Sequence, residues 1–201
     1  MMSRIILTLI ILFNFQSFTK ADDIKDFQIE GMSIGDRLLD HIDINTINNS
    51  RKYEYYSDKF FTIDLFLNDF KQYDAVQIHL KSKDNNYIIY GIGGAITYGE
   101  PGVFFPNSEN LCKKQMMIIE NDIEKIFNNP NKRSISTVGQ GDYDPKVKRH
   151  ETYYTFNTGN VYLQCATWGR KTKKREFVYD SLRLTIINSE FSSWIDTEAY
   201  K

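Results

Sequence analysis

The stretch SENLCKKQMMIIENDIEKIF, residues 108–127, decides how the rest of the chain can be arranged. Its apolar positions are Leu111, Cys112, Met116, Ile119, Ile123, Ile126 and Phe127. Steps of three and four residues put them on one stripe of an α-helix. Ser108 suits the first turn as a cap, and Glu109 sits where the helix dipole favours an anion. Pro130 marks the end. Glu120, Asp122 and Glu124 fall on the far side and read as a solvated face. A helix with one apolar stripe needs a surface to cover, and the flanking sequence supplies strands.

The segment before the helix, Tyr87–Tyr98, is apolar on both faces. By strict alternation one face holds Ile89, Gly91, Gly93 and Ala95 and is smooth. The other holds Ile88, Tyr90, Ile92, Ile96 and Tyr98 and is bulky. Such a strand belongs in the centre of a sheet, and the smooth face is expected to admit the Cys112 helix closely. Ala75–Lys81 alternates, with Val76, Ile78 and Leu80 inward and His79 toward solvent, and Lys59–Phe66 behaves similarly. Lys83–Asn86 reads as a hairpin turn. Beyond the helix, residues 131–149 look irregular. Glu151–Asn157 and Val161–Trp168 form a hairpin around Thr158-Gly159-Asn160, and Leu182–Asn188 is a further strand. A short helix is expected on Ile34, Leu38, Leu39 and Ile42, and another after Ser189. The expected class is α+β: an antiparallel sheet of about six strands, the long helix on one face, short helices at each end, in the order α-βββ-α-βββ-α.

The chain opens with Arg4, an apolar run from Ile5 to Phe15, and Thr19-Lys20-Ala21 before two aspartates. This is the pattern of a secretory signal peptide over residues 1–21, too short for a membrane span. The remainder, residues 22–201, suits a single α+β domain that is periplasmic or secreted, with no transmembrane segment in the mature chain. Losing Arg4 and Lys20 takes the net charge from -1 to about -3, which argues against nucleic acid as a partner. Two cysteines, Cys112 and Cys165, in an exported chain are expected to pair. With no histidine in register they make a poor zinc site.

Few motifs carry chemistry. Gly31-Met32-Ser33-Ile34-Gly35 matches the nucleophile elbow of hydrolases, but only a short polar segment precedes it and Ser33 with Asp36 reads better as a capping box. Gly91-Ile92-Gly93-Gly94 has neither the spacing nor the helix of a dinucleotide loop. Asp142 and Asp144 lack the further acids of a calcium loop. No catalytic, cofactor or metal residues emerge. The sharpest local feature is a basic turn, Arg170, Lys171, Lys173, Lys174 and Arg175, read as a candidate anion contact or as a solvated hairpin tip. Lys146, Lys148, Arg149 and His150 form a second basic cluster. These features point to an exported, disulfide-bonded envelope protein that binds a small apolar or anionic ligand, or an envelope protein, without catalysis. The alternative is a small hydrolase acting on cell-envelope material.

Residues 27–36 (FQIEGMSIGD), Leu38-Leu39-Asp40 and Tyr73-Asp74-Ala75-Val76-Gln77 resemble small secreted proteins of SAR11-type marine alphaproteobacteria. Cys112-Lys113-Lys114-Gln115 and Asp180-Ser181-Leu182-Arg183 fit the same pattern. The resemblance implies an exported bacterial protein and no particular activity. The Gly31-Met32-Ser33 start is also similar to BamE-type outer-membrane assembly lipoproteins, although this chain lacks their lipid-bearing cysteine and Gly-x-Pro.

Overall fold

A computed structural model describes residues 23–127, 130–139, 147–176 and 178–201. The expected signal peptide, Lys146, Asp142 and Asp144 lie outside the described residues.

Eight strands build one antiparallel sheet: β1 (Arg51–Glu54), β2 (Phe60–Leu65), β3 (Ala75–Lys81), β4 (Ile89–Tyr98), β5 (Asn131–Val138), β6 (Lys148–Phe156), β7 (Gly159–Thr167) and β8 (Asp180–Asn188). Their spatial order is β1-β2-β3-β4-β8-β7-β6-β5. Two four-stranded meanders therefore meet where β4 pairs with β8. Among the described residues four α-helices accompany them: α1 (Ile44–Asn49), α2 (Ser108–Ile126), α3 (Arg170–Glu176) and α4 (Ser189–Thr197). The class is α+β, but the sheet has eight strands rather than about six, and the expected helix order is not followed. Both extra strands, β1 and β5, are the edges. Six of the eight residues of β5 are exposed and none is fully buried, so little burial imposes the alternation that marks a half-buried strand.

The N-terminal helix expected over residues 34–42 is also absent. The segment instead forms a short 3-10 turn at Leu38–Asp40 and clamps onto β4, with Gly35 N and Leu38 N donating to Ile89 and Tyr87 carbonyls. Ile24, Ile29, Met32, Ile34 and Leu38 are buried along it.

Register assigns the faces. Val161, Ile186, Ile92, Ile78 and Ile63 are cross-strand partners in one row over five strands. Cys165, Leu182 and Ile96 make a parallel row. This is the face that α2 covers, with Cys112, Met116 and Ile123 buried against it and Cys112 bonded to Cys165. In the chain-entropy model, closing that 53-residue separation stabilises the fold by roughly 4 kcal/mol.

The long helix thus packs on the bulky face of β4, not the smooth one. Ile92 and Ile96 belong to the aliphatic rows completed by Ile186, Val161, Leu182 and Cys165, and the apolar stripe of α2 buries against that surface; a bulge separately exchanges the faces at the start of β4. Leu80 faces Ile89 and His79 faces Gly91, so Tyr90 is an extra residue in β4. It sends Ile89 to the helix side and Tyr90 to the opposite side, against Phe60 at 5.1 Å between ring centroids. Smooth Gly91, Gly93 and Ala95 are left to the face without α2.

The acids on α2 do more than solvate it. Glu120 accepts from Lys132 at 3.1 Å and Thr152 at 2.6 Å, and Glu124 accepts from Lys132 at 2.7 Å and Tyr154 at 3.3 Å. These contacts tie the exposed strand β5 and its neighbour β6 to the helix.

Candidate functional site

The face opposite α2 is divided. At one end α4 closes it: Phe191 and Trp194 pack on Phe60 and Tyr55. Asn188 caps this helix by accepting from Phe191 N at 2.8 Å. His79, read as solvent-facing, is buried here. It stacks on Phe191 at 4.5 Å and hydrogen-bonds Thr62 Oγ1 through Nδ1 at 2.7 Å. Burial pulls its pKa down to about 4. Alternation was sound in placing His79 opposite Ile78 and Leu80; α4 then covered the side to which it points.

The other end stays open as a groove of about 730 Å³. Its floor is the smooth part of β4, Gly93 to Ala95, flanked by Gln77 of β3 and Thr185 of β8. Side chains there are small, so the backbone lies bare. A Cβ on Gly93 would stand 3.1 Å from Thr185 Oγ1. Tyr53 and Phe66 border one side, and Trp168 and Tyr179 the other.

Three guanidiniums line this groove. Arg183 projects from β8 beside Gln164 of β7 and Ala95 of β4, with Ala75 next in the row. It is exposed and makes no hydrogen bond or ion pair among the described residues. Arg149 lies over the Trp168 ring at 5.7 Å and Arg51 over the Tyr53 ring at 4.7 Å. Neither forms an ion pair among the described residues, although Asp64 is the cross-strand neighbour of Arg51. The groove's two carboxylates are satisfied by neutral donors: Asp64 by Gln77 Nε2 at 2.9 Å, and Asp74 by Thr97 N and Oγ1 at 2.6 and 2.8 Å. Burial, and then Asp64 beside it, push the Tyr53 hydroxyl pKa up. Three guanidiniums against two carboxylates leave the groove with one positive charge in excess.

The expected basic turn is helix α3. Lys173 leaves the anion-binding set because it is fully buried. Its ammonium donates to Asp180 Oδ2 at 2.7 Å and to the Val103 carbonyl at 3.0 Å. Ser108 Oγ also donates to Asp180 Oδ2, and Trp168 N donates to Oδ1 at 2.8 Å. This buried cluster joins α3, the start of α2 and the start of β8. Arg170 lies over the Phe104 ring at 4.1 Å, and Lys174 is exposed. The side chains of Lys171 and Arg175 lie outside the described set.

Strand alternation splits the second basic cluster. Lys148 and His150 bind Glu109 on α2 at 2.7 and 3.3 Å, while Arg149 points into the groove. Lys148 foremost, then His150, hold the Glu109 carboxyl down at about 2. His150 also hydrogen-bonds Ser136 Oγ through Nδ1 at 2.9 Å, which completes a Ser136–His150–Glu109 chain. Ser33 takes no such part. Its hydroxyl donates to the Phe27 carbonyl at 2.9 Å, Asp36 accepts from its N–H, and His41 contacts Asp36 rather than Ser33.

Sequence reasoning missed Arg183 and Arg51, and named Arg149 only as one of the second basic cluster. The signal was the polar half of β8, Ser181-Arg183-Thr185, which alternates with Leu182-Leu184-Ile186 as regularly as the apolar half does. What it lacked was the knowledge that β8 pairs with the glycine strand. Among the described residues no group of three or more His, Cys, Asp or Glu side chains could hold a metal ion, and no helix is long and apolar enough to cross a membrane. No protein-family model matches this chain, and no curated protein or solved structure is significantly similar to it.

Proposed function

We propose that this is an exported, disulfide-bonded binding protein of the bacterial envelope, periplasmic or secreted, whose ligand lies in the groove on the open face of the sheet. One observation carries the reading: a concave floor of small side chains meets a central arginine that makes no hydrogen bond or ion pair among the described residues. Convergent polar groups over a bare floor suit a small ligand, and the volume falls in the range such sites occupy, roughly 300–1,000 Å³. The Cys112–Cys165 bond supports an oxidising address. The test is native mass spectrometry of the protein exported through a bacterial envelope, beside an Ala95→Phe variant that fills the floor. The expected result is a reproducible small-molecule adduct that the variant loses. An adduct that survives in the folded variant would overturn the groove as the site. A bare monomer that instead co-purifies with one envelope protein would favour a partner-binding role.

A second reading, a small hydrolase acting on envelope material, is favoured by the Ser136–His150–Glu109 chain. Two features weigh against it. Ser136 stands exposed on an edge strand, and Glu109 is already engaged by Lys148 and Lys113. Hydrolysis of ester or peptidoglycan-fragment substrates that disappears in Ser136→Ala would establish it; equal turnover by both proteins would exclude it.

A further inference from the structure

We infer that the groove's occupant is a small molecule with a flat ring and an oxyanion, carboxylate or phosphate, gripped by Arg183. This rests on the groove being the ligand site. Three observations converge on it.

The first is the isolation of Arg183. Its row across the sheet is Glu151, Gln164, Arg183, Ala95 and Ala75; Glu151 stands one strand further off and accepts from Gln164 and Tyr162, and no carboxylate lies directly beside Arg183. Three residues earlier on the same strand, Asp180 is neutralised by Lys173. The fold pairs a charge where it buries one and leaves this one facing a cavity. A guanidinium presents a planar fork that matches the two oxygens of a carboxylate or phosphate.

The second is sign. Arg149 and Arg51 stand at opposite walls, so three guanidiniums surround a concavity that holds two carboxylates, Asp64 and Asp74. Both carboxylates already accept from neutral donors. A concave wall with a net positive charge concentrates anions.

The third is shape. Arg149 and Arg51 each lie on an aromatic ring, Trp168 and Tyr53, whose faces flank the floor of Gly93 and Ala95. Bare backbone below and aromatic rims at the sides accept a flat body that a branched aliphatic chain would fill poorly. The oxyanion then lies at Arg183, and the ring extends over Gly93.

The test uses a matched pair of fluorescent probes on the oxidised, full mature protein. 8-Anilinonaphthalene-1-sulfonate carries the ring system and an oxyanion; N-phenyl-1-naphthylamine carries the rings alone. Circular dichroism and melting temperature first establish that each variant folds, with Arg183→Lys as the substitute should Arg183→Gln not do so. The sulfonate is expected to bind the native chain, to lose about tenfold or more in affinity in Arg183→Gln, and to be lost in Ala95→Phe. Lys125→Gln, on the solvent side of α2, should match the native chain. The neutral probe should differ by less than about twofold between native and Arg183→Gln proteins. Displacement by benzoate or by phenyl phosphate then distinguishes a carboxylate ligand from a phosphate one. If Ala95→Phe abolishes binding while Arg183→Gln does not weaken it, the groove stands and the oxyanion assignment falls. If Arg183→Gln weakens both probes equally, the arginine only shapes the groove and the assignment again falls. If neither variant affects the sulfonate, the groove itself is the wrong site. A folded protein that binds neither probe, benzoate nor phenyl phosphate overturns the proposed ligand class.

Discussion

The two faces of this one sheet solve opposite problems. Under α2, Val161, Ile186, Ile92, Ile78 and Ile63 form a continuous aliphatic row and the disulfide pins the helix; the Tyr98 hydroxyl is the one buried side-chain polar atom without a hydrogen-bond partner among the described residues. On the other face the neighbouring row reads Tyr162, Thr185, Gly93, Gln77, Asp64 and Arg51, and only half is covered, by α4. The same strands serve both because their side chains alternate. The difference teaches that stability and recognition can be kept apart within one sheet. Substitutions on the closed face should change folding, and those in the groove should change binding.

The sharpest way to break that comparison is at the buried pair bordering both regions. Asp180→Ala leaves the Lys173 ammonium buried without its partner and should cost about 3–5 kcal/mol, measured by urea unfolding. Replacing the pair together, Lys173→Met with Asp180→Leu, should recover much of that loss. A single variant as stable as the native chain would show that the cluster does not anchor α3. Next comes the closed face: Cys112→Ala with Cys165→Ala should lose roughly 4 kcal/mol or less, read as a lower denaturant midpoint. A loss confined to affinity, with the midpoint unchanged, would contradict the division between faces.

The third effect belongs to the covered half of the open face. His79 titrates near 4 when folded and near 6.5 when unfolded, so the neutral ring is the form that folding favours. Its contribution is complete above pH 6.5 and is lost as pH falls toward 4, where the ring must become charged inside the core. The loss should reach about 3 kcal/mol over that window. A His79→Gln variant should show a much flatter stability profile between those pH values. Glu109 contributes in a lower window, from 4.5 down to about 2, so it does not mask the test. A His79→Gln profile as steep as the native one would mean that α4 does not exclude water from this ring. The smallest effect is at Arg183. Arg183→Gln should change unfolding free energy by less than about 0.5 kcal/mol, because an exposed charge with no ion pair among the described residues holds none of them in place. A larger destabilisation would make Arg183 a structural residue and erase the contrast between the faces.

The six inner strands could be read from sequence because each has at least one buried face to impose alternation, as in Val76, Ile78 and Leu80. The edge strands β1 and β5 could not. Lys132-Arg133-Ser134 carries no burial signal, and β5 is held by its ladder to β6 and by Lys132 reaching Glu120 and Glu124. The groove was half legible: the smooth set Gly91, Gly93 and Ala95 was recognised, but α2 covers the aliphatic rows of the other face, and one bulged residue, Tyr90, exchanges the faces of Ile89 and what precedes it. Register is a two-residue repeat, so a single insertion exchanges the faces of everything before it.

By itself the sequence determined the long α2 helix, the inner strands, the pairing partners Cys112 and Cys165, and the α+β class. Those follow from local periodicity and from having only two thiols. Only the tertiary structure decided that β4 meets β8, that Lys173 is spent on Asp180, that His79 is buried, and that Arg183 faces a bare floor. Each depends on which distant segment arrives opposite a side chain, and local periodicity records nothing of that choice.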